Sequence, residues 1–294
     1  MTMLVELVQA NTADGVRLDG ALLPRRGDDA IARRIGLDAV LCLHGAGSHF
    51  YGSSIFPGLL DTFAALGLAV LRVNTRGHDI VSTAATERGP KRFGGAFEIV
   101  DDCRYDVAAW LDFLAGRGLS RVAVVGHSLG AVKAIYALAN APHDAARGLI
   151  AISPPRLSFQ HFRNSPRDAE FFAAITTAQE HAAAGRGETL MEVTFPLPYL
   201  ITAAGYVDKY GPAERYDFLN HIVRIACPSL FLFGELELAQ NAAFSGLAEA
   251  VERAPAGPCP RELATIPRAN HFYVGVDEAL AARVGKWLEA TFAH

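Results

Sequence analysis

The sequence is poor in features that would commit it to a membrane, a nucleic acid or a bound cofactor. No apolar run approaches the roughly 18 residues that a membrane span needs. Met1 to Ala10 carry Glu6 and Gln9 and lack a cationic start followed by an apolar stretch, so no secretory signal is read there and a cytoplasmic location is expected. There are only four cysteines, Cys42, Cys103, Cys227 and Cys259, and none forms a CxxC pair. That spacing argues against a zinc knuckle or a dithiol redox centre and for reduced, mostly buried thiols. The 31 acidic and 27 basic residues leave a net charge of −4 with no long like-charge run, which removes the electrostatic footprint of a nucleic-acid binder. No G-x-x-x-x-G-K-[ST] phosphate loop occurs. Gly45 and Gly47 begin a G-x-G-x-x-G, but its third glycine position is Phe50, so the dinucleotide fingerprint fails and no cofactor is expected.

What the chain does have is apolar mass in a regular rhythm. Hydrophobic residues make up 51% and charged residues 20% of 294 positions, enough to bury a sizeable core. Val5 to Asn11 and Val16 to Leu23, joined by Ala13-Asp14-Gly15, read as a hairpin. Beyond it, short apolar runs at Ala39 to Leu43, Ala69 to Val73, Val122 to Val125, Gly148 to Ile152, Ser229 to Phe233 and Leu263 to Ile266 alternate with stretches of helical spacing. Those stretches cover 56 to 66, 98 to 115, 129 to 140, 240 to 252 and 277 to 291. The alternation predicts an α/β domain with a mostly parallel sheet covered by helices on both faces.

One interval breaks the rhythm. About 70 residues separate Pro155 from Cys227, too many for a simple connection between a strand and its helix. The chain is therefore read as a core of residues 1–155 and 227–294 interrupted by a helical lid at 156–226, lying over the carboxyl edge of the sheet where open α/β folds bind ligands. The lid's Phe195, Tyr199, Tyr206 and Tyr210 suggest a partly apolar, medium-sized substrate, although aromatics at this spacing also serve as plain packing.

The sharpest motif is Gly126-His127-Ser128-Leu129-Gly130, which follows an apolar run and opens a helical stretch. A serine at the tip of so tight a turn is strained, and glycine on both sides relieves the crowding. The turn presents the hydroxyl and aims the amides of a helix N-terminus at the reaction centre. His44-Gly45-Ala46-Gly47, at the end of another run, suits an oxyanion hole, with the amides of Ala46 and Leu129 as donors. His271 lies between the last apolar run and the last helix, from where it can reach the top of the sheet as a general base. Gly234-Glu235-Leu236-Glu237 offers two carboxylates for one role. If the preceding strand simply continues, both point to the same side, and reach must separate them. A metal reading exists for His44, His49, His78 and His127, which sit on or just after strand ends, but they lack any known ligand spacing, so no metal is expected.

Through these motifs, and over most of its length, the chain resembles the α/β-hydrolase superfamily. Asn74-Thr75-Arg76-Gly77-His78 also resembles the family's D-x-R-G-x-G turn, with Asn74 for the acid and Asp79 where the second glycine would stand. The resemblance implies an α/β-hydrolase fold and the chain order serine, acid, histidine. Family spacing, an acid three residues past a glycine, maps the acid onto Glu237, with Glu235 the alternative because a glutamate departs from the usual aspartate. It also implies a serine hydrolase acting on a carboxylic ester, thioester or lactone, with a small acyl compound as partner. Carbon-carbon bond hydrolysis, acyl transfer, cofactor-free haloperoxidase chemistry and a ligand-binding receptor on the same pocket remain open alternatives. No feature indicates an oligomeric state.

Overall fold

The computed structural model describes residues 4–25, 35–52 and 55–293. Eight strands form the main sheet: β1 Glu6–Asn11, β2 Arg17–Leu23, β3 Ala39–Leu43, β4 Ala69–Val73, β5 Val122–His127, β6 Ala146–Ile152, β7 Ser229–Gly234 and β8 Arg261–Ile266. Their spatial order is β1-β2-β4-β3-β5-β6-β7-β8. β1 and β2 pair antiparallel across the expected hairpin, whose turn holds Gly15 at φ 80°. β2 lies antiparallel on β4, and every later pairing is parallel, with Leu41 opposite both Leu71 and Val124. β3, β5 and β7 are buried along their whole length. This explains why they read as continuous apolar runs rather than alternating ones: helices cover both faces.

On one face lie α1, Phe56–Ala65, and the last helix, Asp277–Phe292, which pack on each other and on Val40, Val70 and Val125. On the other lie α2, Cys103–Gly116, and α3, Leu129–Asn140. α3 is buried on nearly all sides, so its sequence is apolar around the whole barrel of the helix, with Lys133 the exception. The chain leaves β3 toward β4 on one side and later enters β5 on the other. That reversal opens a crevice between the loops after β3 and β5, the place where doubly wound sheets bind ligands.

The structure departs from the sequence reading in several places. The stretch 240 to 252 is not one helix but two, Glu235–Gln240 and Leu247–Arg253. Asn241 ends the first because its side chain accepts the Ala243 amide, and Gly246, at φ 68°, redirects the chain before the second. α2 starts five residues later than its apolar spacing suggests. The Val100 and Asp101 amides are drawn away to Asp208 and the Tyr216 hydroxyl, both from the long connection between β6 and β7. That connection holds the helix Asp168–Ala183 and also a two-stranded hairpin, Leu190–Val193 with Tyr199–Thr202, which the periodicity does not predict. A second hairpin, Ser82–Thr86 with Gly89–Phe93, follows β4. Cys42, Cys103 and Cys227 are buried and Cys259 is partly so, all as free thiols.

The loop after β4 is fixed by one buried cation. Arg76 spreads its guanidinium over Asp14 of the hairpin turn (2.8 Å), Asp102 (3.1 Å) and Asp106 of α2 (2.9 Å), and its own amide donates to Asp106. Asp79, where the family turn would carry its second glycine, adopts φ 55°, the conformation glycine would occupy most easily. Asn74, in the acid's place, accepts the Phe50 amide at 2.9 Å and so ties this loop to the one after β3. Removing the Arg76 guanidinium strands Asp106, which is fully buried. We expect Arg76→Met to lower unfolding stability by about 3–5 kcal/mol, read as a fall in the urea midpoint at unchanged slope. A shift under about 1 kcal/mol would contradict the tethering role given to this ion cluster.

Candidate active site

Ser128 is the first residue after β5 and the last before α3, with φ 56° and ψ −127°. Only a crowded local architecture holds a non-glycine residue there. A Cβ on Gly126 would lie 2.3 Å from the Gly130 carbonyl oxygen, and one on Gly130 would lie 2.3 Å from that of Leu43 and 2.4 Å from that of His44. The two glycines therefore let α3 fold back onto β5 and let β3 run alongside the turn. The Ser128 amide donates to Ile152 of β6 (2.9 Å), which fixes the turn to the neighbouring strand.

His271 stands in the loop after β8, and its Nε2 is 3.0 Å from Ser128 Oγ. Its Nδ1 is 2.7 Å from Oε2 of Glu237. A carboxylate only accepts, so Nδ1 carries the proton and Nε2 is free to accept from the serine hydroxyl. Glu237 is buried, and its other oxygen accepts from the Gly234 amide (2.7 Å) and from Ser153 Oγ (2.5 Å). Glu235 goes elsewhere. A helix begins immediately after β7, so two residues apart is about 200° around the axis rather than the same side of a strand. The exposed Glu235 accepts the Arg268 amide at 2.8 Å and braces the loop that leads to His271.

Ser153 and Tyr273 escaped the sequence reading. Ser153 follows β6 at φ 50° and is fully buried; since it donates to Glu237, it accepts from the Tyr273 hydroxyl at 2.9 Å. Burial, together with the adjacent Glu237, pushes the Tyr273 phenol well above its usual range, so it stays a donor. The available signal was position: Ser153 ends the strand beside the serine strand, and Tyr273 lies two residues past His271.

His127 donates from Nε2 to the His271 backbone carbonyl at 2.9 Å. Burial and the neighbouring His271 push its ring down to about 3, so it remains neutral and serves as a post for the His271 loop. His44 is likewise driven down to about 3, by burial and then by the Lys133 cation. Its Nδ1 donates to the Gly45 carbonyl and its Nε2 accepts the Thr75 amide. His49 and His78 both face Asp79. His44 and His127 thus have partners of their own and His49 and His78 share Asp79, while among the described residues no group of three or more His, Cys, Asp and Glu side chains is placed to hold a metal ion.

The loop after β3 closes on Ser128: a Cβ on Gly45 would meet Ser128 Cβ at 3.2 Å. Ala46 and Leu129 both line the space in front of Ser128, and among the described residues neither amide takes part in a turn or side-chain hydrogen bond. That space is a cavity of about 540 Å³, within the usual range for a small-molecule site. Ser128, His271 and Phe244 border it on the sheet side; Leu157, Leu197, Tyr199, Lys209 and Tyr210 border it from the connection between β6 and β7. Of the aromatics noted in that segment, Tyr199 and Tyr210 reach the cavity, while Phe195 and Tyr206 are buried and joined by a hydrogen bond from the Tyr206 hydroxyl to the Phe195 carbonyl.

Several solved structures share this architecture. The ferulic-acid complex of Est1E from Butyrivibrio proteoclasticus superposes with a TM-score of 0.65 over 98% of this chain and 100% of its own, at 15% identity. An esterase of Pyrococcus furiosus, Pf2001, gives 0.59 over 99% and 94%, at 20% identity. The α/β hydrolase GrgF from Penicillium sp. sh18 gives 0.69 over 99% and 100%, at 15% identity. At such identities the likeness is one of fold. No curated protein matches the chain by sequence. The family model for the "Alpha/beta hydrolase family", however, matches residues 40–283, from β3 into the last helix and across both the glycine-bracketed Ser128 and His271, and the chain therefore belongs to that family.

Proposed function

We propose that this hydrolase cleaves a carboxylic ester, thioester or lactone through an acyl-enzyme on Ser128. The observation that carries the reading is the unbroken line Ser128 Oγ, His271, Glu237, at 3.0 and 2.7 Å, opening on a cavity of about 540 Å³. His271 Nε2 takes the Ser128 proton as Oγ bonds to the carbonyl carbon, and the negative charge passes to the carbonyl oxygen. The Ala46 and Leu129 amides stabilise that oxyanion as donors already in place. Collapse of the intermediate expels the leaving alkoxide or thiolate, which takes the proton from His271. Water then repeats the sequence and releases the acid. Glu237 holds the imidazole in its accepting tautomer, and Ser153 with Tyr273 holds Glu237. The neighbouring folds include an esterase of Pyrococcus furiosus, which supports an ester over a carbon-carbon bond as the scissile group. Residues 156–226 act as a lid in this reading, supported by the cavity wall that Leu197, Tyr199 and Tyr210 provide.

A fluorophosphonate probe should label the wild-type protein at Ser128, and a p-nitrophenyl ester series should be turned over. Ser128→Ala should lose both, on the order of a millionfold in kcat, with its circular dichroism unchanged. A folded Ser128→Ala protein that still hydrolyses the ester would remove Ser128 from the nucleophile role, and labelling without any turnover would favour a receptor.

Glu237→Gln should cost about ten-thousandfold in kcat, because an amide no longer enforces the reactive tautomer. Glu235→Gln leaves the bond partners of His271 untouched and should stay within about tenfold of wild type. The reverse order of losses would transfer the acid role to Glu235.

A further inference from the structure

Behind the cavity lies an ion cluster that the triad does not use. Lys133, fully buried in the otherwise apolar α3, ion-pairs with Glu98 and donates to Thr75 Oγ1 at 3.0 Å. Glu98 is also buried, and its second oxygen accepts no hydrogen bond among the described residues. The Lys209 ammonium lies 3.6 Å from that oxygen, beyond hydrogen-bond length. Lys209 belongs to the helix Ala203–Tyr210, is itself buried, and lines the same cavity as Ser128. Its Nζ is 5.8 Å from the Tyr199 ring centre. The Tyr199 hydroxyl is buried beside Tyr210 without a hydrogen bond of normal geometry.

The charges here do not balance. Two ammonium groups share one carboxylate. Asp208, next to Lys209 in sequence, is taken up by Arg215, Tyr216 and the Val100 amide, and Asp106 is taken up by Arg76. His44, the other titratable neighbour, is neutral. The Lys209 ammonium has only this long contact with a carboxylate already paired to Lys133, and a buried charge so weakly paired is costly unless a ligand pairs it. Burial pushes the Lys209 ammonium below its ordinary range against the pull of Glu98, with Lys133 adding to the fall. Glu98, despite its burial, is held below its range by the two lysines, so it stays a full anion and cannot take a second cation's worth of charge.

We propose that Lys209, with the Tyr199 and Tyr210 hydroxyls, binds a carboxylate on the substrate, so that the ester cleaved at Ser128 carries a free acid on its acyl or its alcohol side. A carboxylate fits better than a phosphate: one weakly paired cation and two phenols match a monoanion, whereas a dianion would leave a charge uncompensated. This assignment rests on the hydrolase reading of Ser128 and specifies what that site accepts.

The test uses p-nitrophenyl hemiesters of diacids, from adipate to sebacate, against their methyl-capped counterparts. Acetates of ω-hydroxy acids and of their methyl esters probe the alcohol side. In the wild type, kcat/KM should favour the acid over its capped partner by about tenfold or more at one chain length, mostly through KM. Lys209→Met should bring that ratio to about one, and Lys209→Arg should retain part of it. The Lys133 pair with Glu98 survives Lys209→Met, so the variant is expected to fold; the double variant of Tyr199→Phe and Tyr210→Phe gives a second reading if it does not. Calorimetry on Ser128→Ala with the uncleaved hemiesters reads binding without turnover, where Lys209→Met should weaken the acid by about tenfold and not the capped ester. Esters hydrolysed with no preference for an acid on either side, or a preference that survives Lys209→Met, would overturn the carboxylate site and leave the hydrolase reading standing. Acid-selective binding that depends on Lys209, without turnover or labelling, would do the opposite.

Discussion

Everything at the site hangs on one steric bargain, the passage from β5 to α3 through a serine in the left-handed region. Carbonyls of β3 and of α3 itself stand where side chains at 126 and 130 would be, so the turn can close only around glycine. Once closed, it fixes three things together: the hydroxyl at the crevice, the Leu129 amide facing the same space, and α3 packed beneath the sheet. The strain at Ser128 persists because buried neighbours over-determine it, including the bond from its amide to β6.

Support for this turn comes from every neighbouring strand end. The loop after β3 brings Ala46 to the cavity, Ser153 after β6 holds Glu237, the helix after β7 carries Glu237, and the loop after β8 carries His271. His127, one residue before Ser128, is kept neutral and grips the His271 backbone, so the His271 loop is anchored to the strand that leads into Ser128. Local opening of any one loop therefore disturbs the others, the arrangement expected of a preorganised site rather than one assembled on binding.

What could be read from sequence was whatever local chemistry dictates. Buried parallel strands betray themselves as apolar runs, and the glycines around Ser128 follow from sterics within five residues. The position of His271 follows from the order of the elements. The choice between Glu235 and Glu237 was readable only by family spacing, because the helix that turns the two apart begins where strand continuation was assumed. The single helix expected at 240 to 252 failed for a similar reason, since Asn241 and Gly246 break it while its apolar spacing continues across the break. Ser153 and Tyr273 were hinted at only by position, and Glu98 and Lys209 were illegible. Each is a lone polar residue whose meaning lies in a partner brought from far along the chain, 84 positions away for Ser153 and Glu237.

Thr75 connects two parts of the molecule usually considered apart. Its hydroxyl is held by Lys133 and its amide by His44, whose other nitrogen holds Gly45 at the root of the loop bearing Ala46. The charge cluster and the loop that carries Ala46 are thus joined by three consecutive direct hydrogen bonds. A neutral imidazole in the middle transmits position without transmitting charge. Lys133 of α3 and the loop that carries Ala46 are consequently held at a separation set by covalent geometry and hydrogen-bond lengths alone.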